Sequence, residues 1–262
     1  MANSDFIPAL ISKLNSSNNV SKRGHRTSNS STSKKTSVHP YALVSIQSTS
    51  PANPTNVSPP QNGTLAVPNA LAIIPTINHL LTLPFPLKIA TKDWHPANHT
   101  SFASTHPGTH PFVSTTTITT PLGSYETKLW PDHCIQGTPG AALLPSLSIS
   151  RIDHVVEKGQ RQDIEMYSAF YDPHKCVDSG LKDMLARGGV TDVFVVGLAF
   201  DYCVRATAVD ATAEGFRTWV VGEGTRAVDA GAWDEVVGDL KERGVRVVSV
   251  DGEEVARVGG GK

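Results

Sequence analysis

The sequence predicts an α/β fold of three layers, a mainly parallel sheet with helices on both faces. Two observations carry this. Short, continuously apolar runs such as Val193-Phe194-Val195-Val196-Gly197 lack the polar alternation of a half-exposed strand. Between them lie stretches of helical period that end at glycines, the rhythm of strand–helix–strand units. In such sheets ligands gather beyond the carboxyl ends of the strands, so the turns after each strand are where chemistry is expected.

Taken in order, residues 12–57 differ from the rest: 17 of these 46 positions are Ser or Thr, and little is apolar outside Tyr41–Ile46. Such composition buries too little apolar surface to offset chain entropy, so residues 1–57 are expected to be atypical and largely disordered. Within them the first strand looks disrupted. Pro8-Ala9-Leu10-Ile11 begins one and breaks off, and Tyr41–Gln47 is the alternative. Residues 58–258 form the expected globular domain, and 259–262 a tail. Ala70–Leu83 has helical spacing, and Leu87–Thr91 reads as a short buried strand. Val155-Val156 lead into a loop, and Leu181–Arg187 is a helix stopped by Gly188-Gly189. After the strand at 193–197 come a helix over Val204–Glu214, a strand over Thr218–Val221, a helix over Ala230–Lys241 and a last strand over Val245–Val250.

Composition narrows the function classes. With 23 basic and 24 acidic residues the net charge is −1, and 6% of residues are aromatic, so no nucleic-acid partner is expected. The balance is uneven: residues 1–92 carry eight Lys/Arg and a single carboxylate, Asp5. Three cysteines make no disulfide framework. No apolar run approaches the ~18 residues of a membrane span, and the N-terminal stretch lacks the apolar core of a secretory signal. A soluble cytoplasmic protein is expected, with nuclear or peroxisomal location as alternatives. An organellar transit peptide is disfavoured, because Arg is sparse and no amphipathic helix is evident.

The strand-end turns carry reactive residues. Asp93 and His95, two apart on extended backbone, point to one side, and His133 follows at a likely turn in Leu129-Trp130-Pro131-Asp132-His133-Cys134. One carboxylate and two imidazoles suit a catalytic divalent metal with open positions. Spacing alone equally allows three satisfied polar groups at strand ends. Cys203 opens a helix after a buried strand, where free N–H groups and the helix dipole favour a thiolate and can hold an oxyanion. A buried structural cysteine is the plainer alternative. Lys158, also directly after a strand, is either a solvated charge or a cation beside that sulfur. Cys134 and Cys176 read as packing residues.

Together these segments resemble the nicotinamidase branch of the isochorismatase-like cysteine hydrolases, in a fungal-type form. The likeness rests on Ala90–His99 with Ser101-Phe102, on Leu129–Cys134 with Gly137–Ala141, and on Glu157-Lys158-Gly159. It continues through Met166–Phe170 and Val196–Ala199 to Cys203-Val204 and Thr207-Ala208, all in the family's order. The resemblance implies an isochorismatase-like hydrolase domain over 58–258 that converts nicotinamide and water to nicotinate and ammonia, a step of NAD salvage. It implies Asp93, His95 and His133 as ligands of Zn²⁺ or another divalent metal, Cys203 as nucleophile and Lys158 as catalytic lysine. It also implies a cis peptide between Leu198 and Ala199, with the N–H groups of Ala199 and Cys203 as oxyanion donors. Trp94 and Tyr167 are candidates for lining the pocket of the substrate, nicotinamide, with simple packing as the alternative for either. Oligomeric state, including a homo-oligomer, is left open.

One departure matters. The family's first strand ends in an Asp, in a run like A-L-I-V-V-D-x-Q-x-D-F, that serves as proton carrier. No residue here matches it. Asp5 precedes the Pro8–Ile11 run and so stands at the wrong strand end, while Tyr41–Gln47 has Ser45 or Ile46 near the position. A positioned acid/base contributes about 10²–10⁴-fold, so impaired activity is expected. A mis-joined or intron-retaining gene model would account for both the insert and the lost Asp, and a transcript restoring V-D-x-Q-x-D-F would confirm it. The alternatives are a related cysteine amidohydrolase with another carboxamide or ureide substrate, and a non-catalytic metal- and ligand-binding relative.

Overall fold

The sheet is built around a strand drawn from the Ser/Thr-rich segment. In the computed structural model, which describes residues 41–47, 65 and 67–260, β1 (Tyr41–Gln47) lies between β2 (Leu87–Asp93) and β6 (Asp192–Leu198) and pairs parallel with both. The six-stranded order is β5-β2-β1-β6-β7-β8, with β5 His154–Lys158, β7 Arg217–Arg226 and β8 Arg246–Val248. All the pairings are parallel. This confirms the predicted class and corrects the boundary at residue 57, because the domain's sheet includes 41–47. The physical reason is local: Tyr41-Ala42-Leu43-Val44 is apolar enough to be buried on both faces, whatever the composition around it. The Pro8–Ile11 run, Asp5 and the rest of 1–40 lie outside the described residues.

Side chains alternate across the sheet into two cores. Ala42, Val44, Val193 and Val195 face α2 (Leu181–Arg187), α3 (Arg205–Ala213) and α4 (Trp233–Glu242). Tyr41, Leu43, Phe194 and Val196 face α1 (Ile74–Thr82) and α5 (Glu253–Val258). Phe194 anchors the second core, stacked on Trp219 at 4.9 Å and edge-on to Phe85 at 5.5 Å and Tyr41 at 5.9 Å. Every residue of β6 is buried, as a strand covered on both faces requires. β7 slips register beside Val196. A Cβ at Gly224 would come within 2.8 Å of Val196 Cγ1, so only glycine lets the bulged strand pass there.

The remaining strands form a separate antiparallel hairpin, β3 (Thr115–Thr120) and β4 (Gly123–Lys128). Among the described residues no helix is long and apolar enough to cross a membrane.

Candidate active site

The chemistry-bearing residues converge at the carboxyl ends of β2, β5 and β6. Asp93 is the last residue of β2, and Lys158, the last of β5, is its register partner. Beyond β2 the chain stays extended. The His95 N–H donates to the Cys134 carbonyl (3.0 Å), and the Gln136 N–H donates to the His95 carbonyl (2.8 Å), bringing the segment around His133 alongside.

Asp93, His95 and His133 meet, their ligating atoms all within 4.8 Å of one another, and all three are buried. Each imidazole is oriented by a backbone carbonyl: His95 Nδ1 lies 2.8 Å from Gly159 O and His133 Nδ1 lies 2.8 Å from Pro131 O. A carbonyl only accepts, so each Nδ1 carries the proton and each Nε2 keeps its lone pair. Burial alone raises the Asp93 carboxyl, but Lys158, His95 and His133 outweigh it and hold it at about 2. Burial and His133 press His95 down to about 3. At neutral pH the trio is therefore one anion and two neutral imidazoles, a donor set that suits a divalent ion of zinc type.

Lys158 joins this trio to the sulfur. Its buried Nζ lies 2.5 Å from Asp93 Oδ1 and 3.5 Å from Cys203 Sγ, and donates to the Met166 carbonyl at 2.9 Å. Burial opposes the ammonium, but Asp93 and Cys203 raise its pKa above the usual lysine value. Cys203 sits in a π-turn, Phe200–Val204, that runs into α3, with the Val204 N–H donating to the Ala199 carbonyl (3.0 Å). The Leu198–Ala199 peptide is cis.

Around these groups is a narrow cleft. Tyr167 lines it, its hydroxyl fixed by Trp130 Nε1 at 2.9 Å and Thr127 Oγ1 at 3.0 Å. Trp94 does not line it. The alternation that sends Asp93 and His95 inward sends Trp94 outward, where Lys92 Nζ covers its ring at 3.8 Å. Trp130 and Tyr202 take that place, their rings edge-to-face at 4.8 Å, together with Leu65, Val67 and Val228.

A second carboxylate in the cleft, Glu165, was not anticipated. It is buried and accepts from the Met166 N–H at 2.8 Å. Burial raises its pKa, but His99, His95 and Lys158 reverse that and keep it below the usual glutamate value. The available signal was a lone acid flanked by Ile164 and Met166. His99 packs on His95 at 4.2 Å with both nitrogens engaged, by Ser101 Oγ and the Ile164 carbonyl. Cys134 is buried, which pushes its thiol well above the ordinary value, and Cys176 is half-buried. β1 contains no carboxylate, and among the described residues the carboxylate in contact with Lys158 is Asp93.

Fold and site together define a class of hydrolase. A sequence profile of the isochorismatase domain matches residues 61–252. The chain is 40% identical over 186 residues to the nicotinamidase of Acinetobacter baylyi, covering 69% of this chain and 84% of that one. It superposes on the yeast nicotinamidase Pnc1p bound to the inhibitor nicotinaldehyde with a TM-score of 0.72 and 30% identity, covering 80% of this chain and 99% of the other. The pyrazinamidase of Pyrococcus horikoshii in complex with zinc gives a TM-score of 0.61 at 28% identity, covering 80% and 99%. The chain belongs to the isochorismatase family, in its nicotinamidase branch. It is an amidohydrolase.

Proposed function

We propose that this enzyme hydrolyses nicotinamide to nicotinate and ammonia through a thioester on Cys203, and so serves NAD salvage. The observation that carries the reading is one continuous contact: sulfur to Lys158 Nζ at 3.5 Å, and Nζ to Asp93 of the ligand trio at 2.5 Å, inside an aromatic-walled cleft. The relatives named above are nicotinamidases and a pyrazinamidase, one of them bound to nicotinaldehyde, which fits a cleft with this aromatic lining.

The ammonium of Lys158 favours the ionised sulfur, which forms a C–S bond to the carboxamide carbon as the carbonyl π pair moves onto oxygen. The backbone N–H groups of Ala199 and Cys203 are assigned to that oxyanion. Collapse breaks the C–N bond. The proton given up by the thiol leaves with ammonia, and water then cleaves the thioester to nicotinate and regenerates the thiol. Asp93, His95 and His133 are assigned to a zinc-type ion, which when bound supplies a Lewis acid for the pyridine nitrogen. Trp130, Tyr167 and Tyr202 hold the ring.

The proton relay is the weak step. Asp93, committed to the ion, is a poor substitute for a dedicated acid/base, so turnover is expected to be about 10²–10⁴-fold below that of a relative possessing one. The test is ammonia release from nicotinamide by the zinc-loaded chain beside Cys203→Ala. Release abolished by the substitution is expected. Equal rates from both proteins, with zinc and nicotinamide bound, would establish the non-catalytic reading instead.

A further inference from the structure

The end of β2 is closed against the end of β5 by three contacts in successive residues. Asp93 meets Lys158 Nζ, the Trp94 N–H donates to the Lys158 carbonyl at 2.9 Å, and His95 Nδ1 meets the Gly159 carbonyl at 2.8 Å. Gly159 has φ +66, and a Cβ built there would lie 2.6 Å from His95 Nδ1 and closer still to Cε1. On its other sides the same ring meets His99 at 4.2 Å and the edge of Phe102 at 5.7 Å. The imidazole thus occupies a slot of which one wall is a bare α-carbon, with the carbonyl of that residue setting its tautomer.

We propose that Gly159 is a positioning residue for the cation site: its missing side chain makes the slot for the His95 ring, and its carbonyl holds the Nδ1 proton so that Nε2 faces Asp93 and His133. This rests on the metal reading above, and it adds that the residue next to the catalytic lysine sets the geometry of an ion it does not touch. Any side chain there displaces the ring, since His99 and Phe102 leave it no retreat. Backbone strain is a separate effect, and Gly180 isolates it: φ is +80 there, but a Cβ would meet nothing within 4 Å.

The experiment compares zinc(II) affinity, by competition with a chromophoric chelator, for the full chain, Gly159→Ala and Gly180→Ala. Outer-shell partners of metal ligands are typically worth about 10–100-fold in affinity. That loss is expected for Gly159→Ala, with wild-type affinity for Gly180→Ala whatever its stability. In parallel, ¹⁵N imidazole shifts of the metal-free wild-type chain report the His95 tautomer, expected to be Nδ1–H. Unchanged zinc affinity in Gly159→Ala, or a proton on Nε2 of His95, overturns the assignment. Failure of the wild-type chain to bind zinc overturns the metal reading, while the tautomer still decides the role of Gly159. The tautomer also decides if Gly159→Ala does not fold.

Discussion

At the scale of single residues, backbone parity separates the groups that act from those that pack. Asp93, Trp94 and His95 are consecutive, and alternation puts the first and third into the site and the second outside it. Trp94→Phe is therefore expected to leave KM for nicotinamide unchanged. Tyr202→Ala, which removes a ring packed on Trp130 at 4.8 Å and Tyr167 at 5.5 Å, is expected to raise KM about 3- to 10-fold, the worth of an aromatic contact. Steady-state ammonia release from both variants is the check, and the opposite ranking would return Trp94 to the pocket. Asp93 and Lys158 were legible as strand-end residues, and His95, His133 and Cys203 as residues of the turns that follow strands, each within a motif that the resemblance supplies. For Trp94 the packing alternative holds, since the alternation that brings its neighbours into the cleft turns it away. Tyr202 and Val228 were not legible, since their approach to the cleft depends on how loops after different strands fold over the rim. Asp201 shows this, its carboxylate accepting from the N–H groups of Val228 and Asp229 at 2.9 and 3.0 Å.

Secondary-structure elements were legible in proportion to their apolar signal. β6 is a nearly continuous hydrophobic run and was placed within a residue or so, whereas for β7 only the apolar half around Trp219-Val220-Val221 was legible and the Gly-Glu-Gly-Thr-Arg half was not. The β3–β4 hairpin went unread, because Ile118 is the one fully aliphatic buried side chain of β3 and the rest of its inward positions are threonines. Contacts between elements are less legible still. Glu214, at the end of α3, receives Lys175 Nζ at 2.8 Å and, from α2, Lys182 Nζ at 2.6 Å. Hydrogen bonds from Lys175 and then Lys182 hold the Glu214 carboxyl below the ordinary 4.5. A depressed folded-state value means that the unfolded chain binds the proton first as pH falls. The stabilisation is thus full above about pH 4.5 and is lost as pH drops through the folded value. Both lysines are about half exposed, so the effect is small. Glu214→Gln is expected to lower Tm by at most about 2–4 °C at pH 7, and the difference should close when the scan is repeated well below pH 4. A gap that persists in acid would assign the loss to packing instead.

For the whole molecule, the decisive feature is that the sheet's inner strand comes from a segment whose composition reads as disordered. Ala42, Leu43 and Val44 are fully buried between β2 and β6. A chain beginning at residue 58 would leave those two strands with open edges inside the core. It is expected to be aggregated by size-exclusion chromatography and to lack cooperative melting; a monomer melting like the full chain would show that β1 is dispensable. Composition averaged over 12–57 reads as disorder, whereas the apolar run Tyr41–Ile46 inside it is the alternative first strand that forms β1.

The seam at the ends of β2 and β5 also divides the cation site into unequal halves. Asp93 and His95 are fastened to the end of the strand that bears Lys158, whereas His133 is oriented by a carbonyl of its own loop, two residues away. A change of ion preference, whether selected or engineered, has little latitude on the first half without disturbing the thiol. It has more in residues 131–133, where His133 is oriented from within its own loop, than at Cys134, whose carbonyl is tied to the His95 N–H. Variation between relatives that prefer different ions should concentrate in that tripeptide.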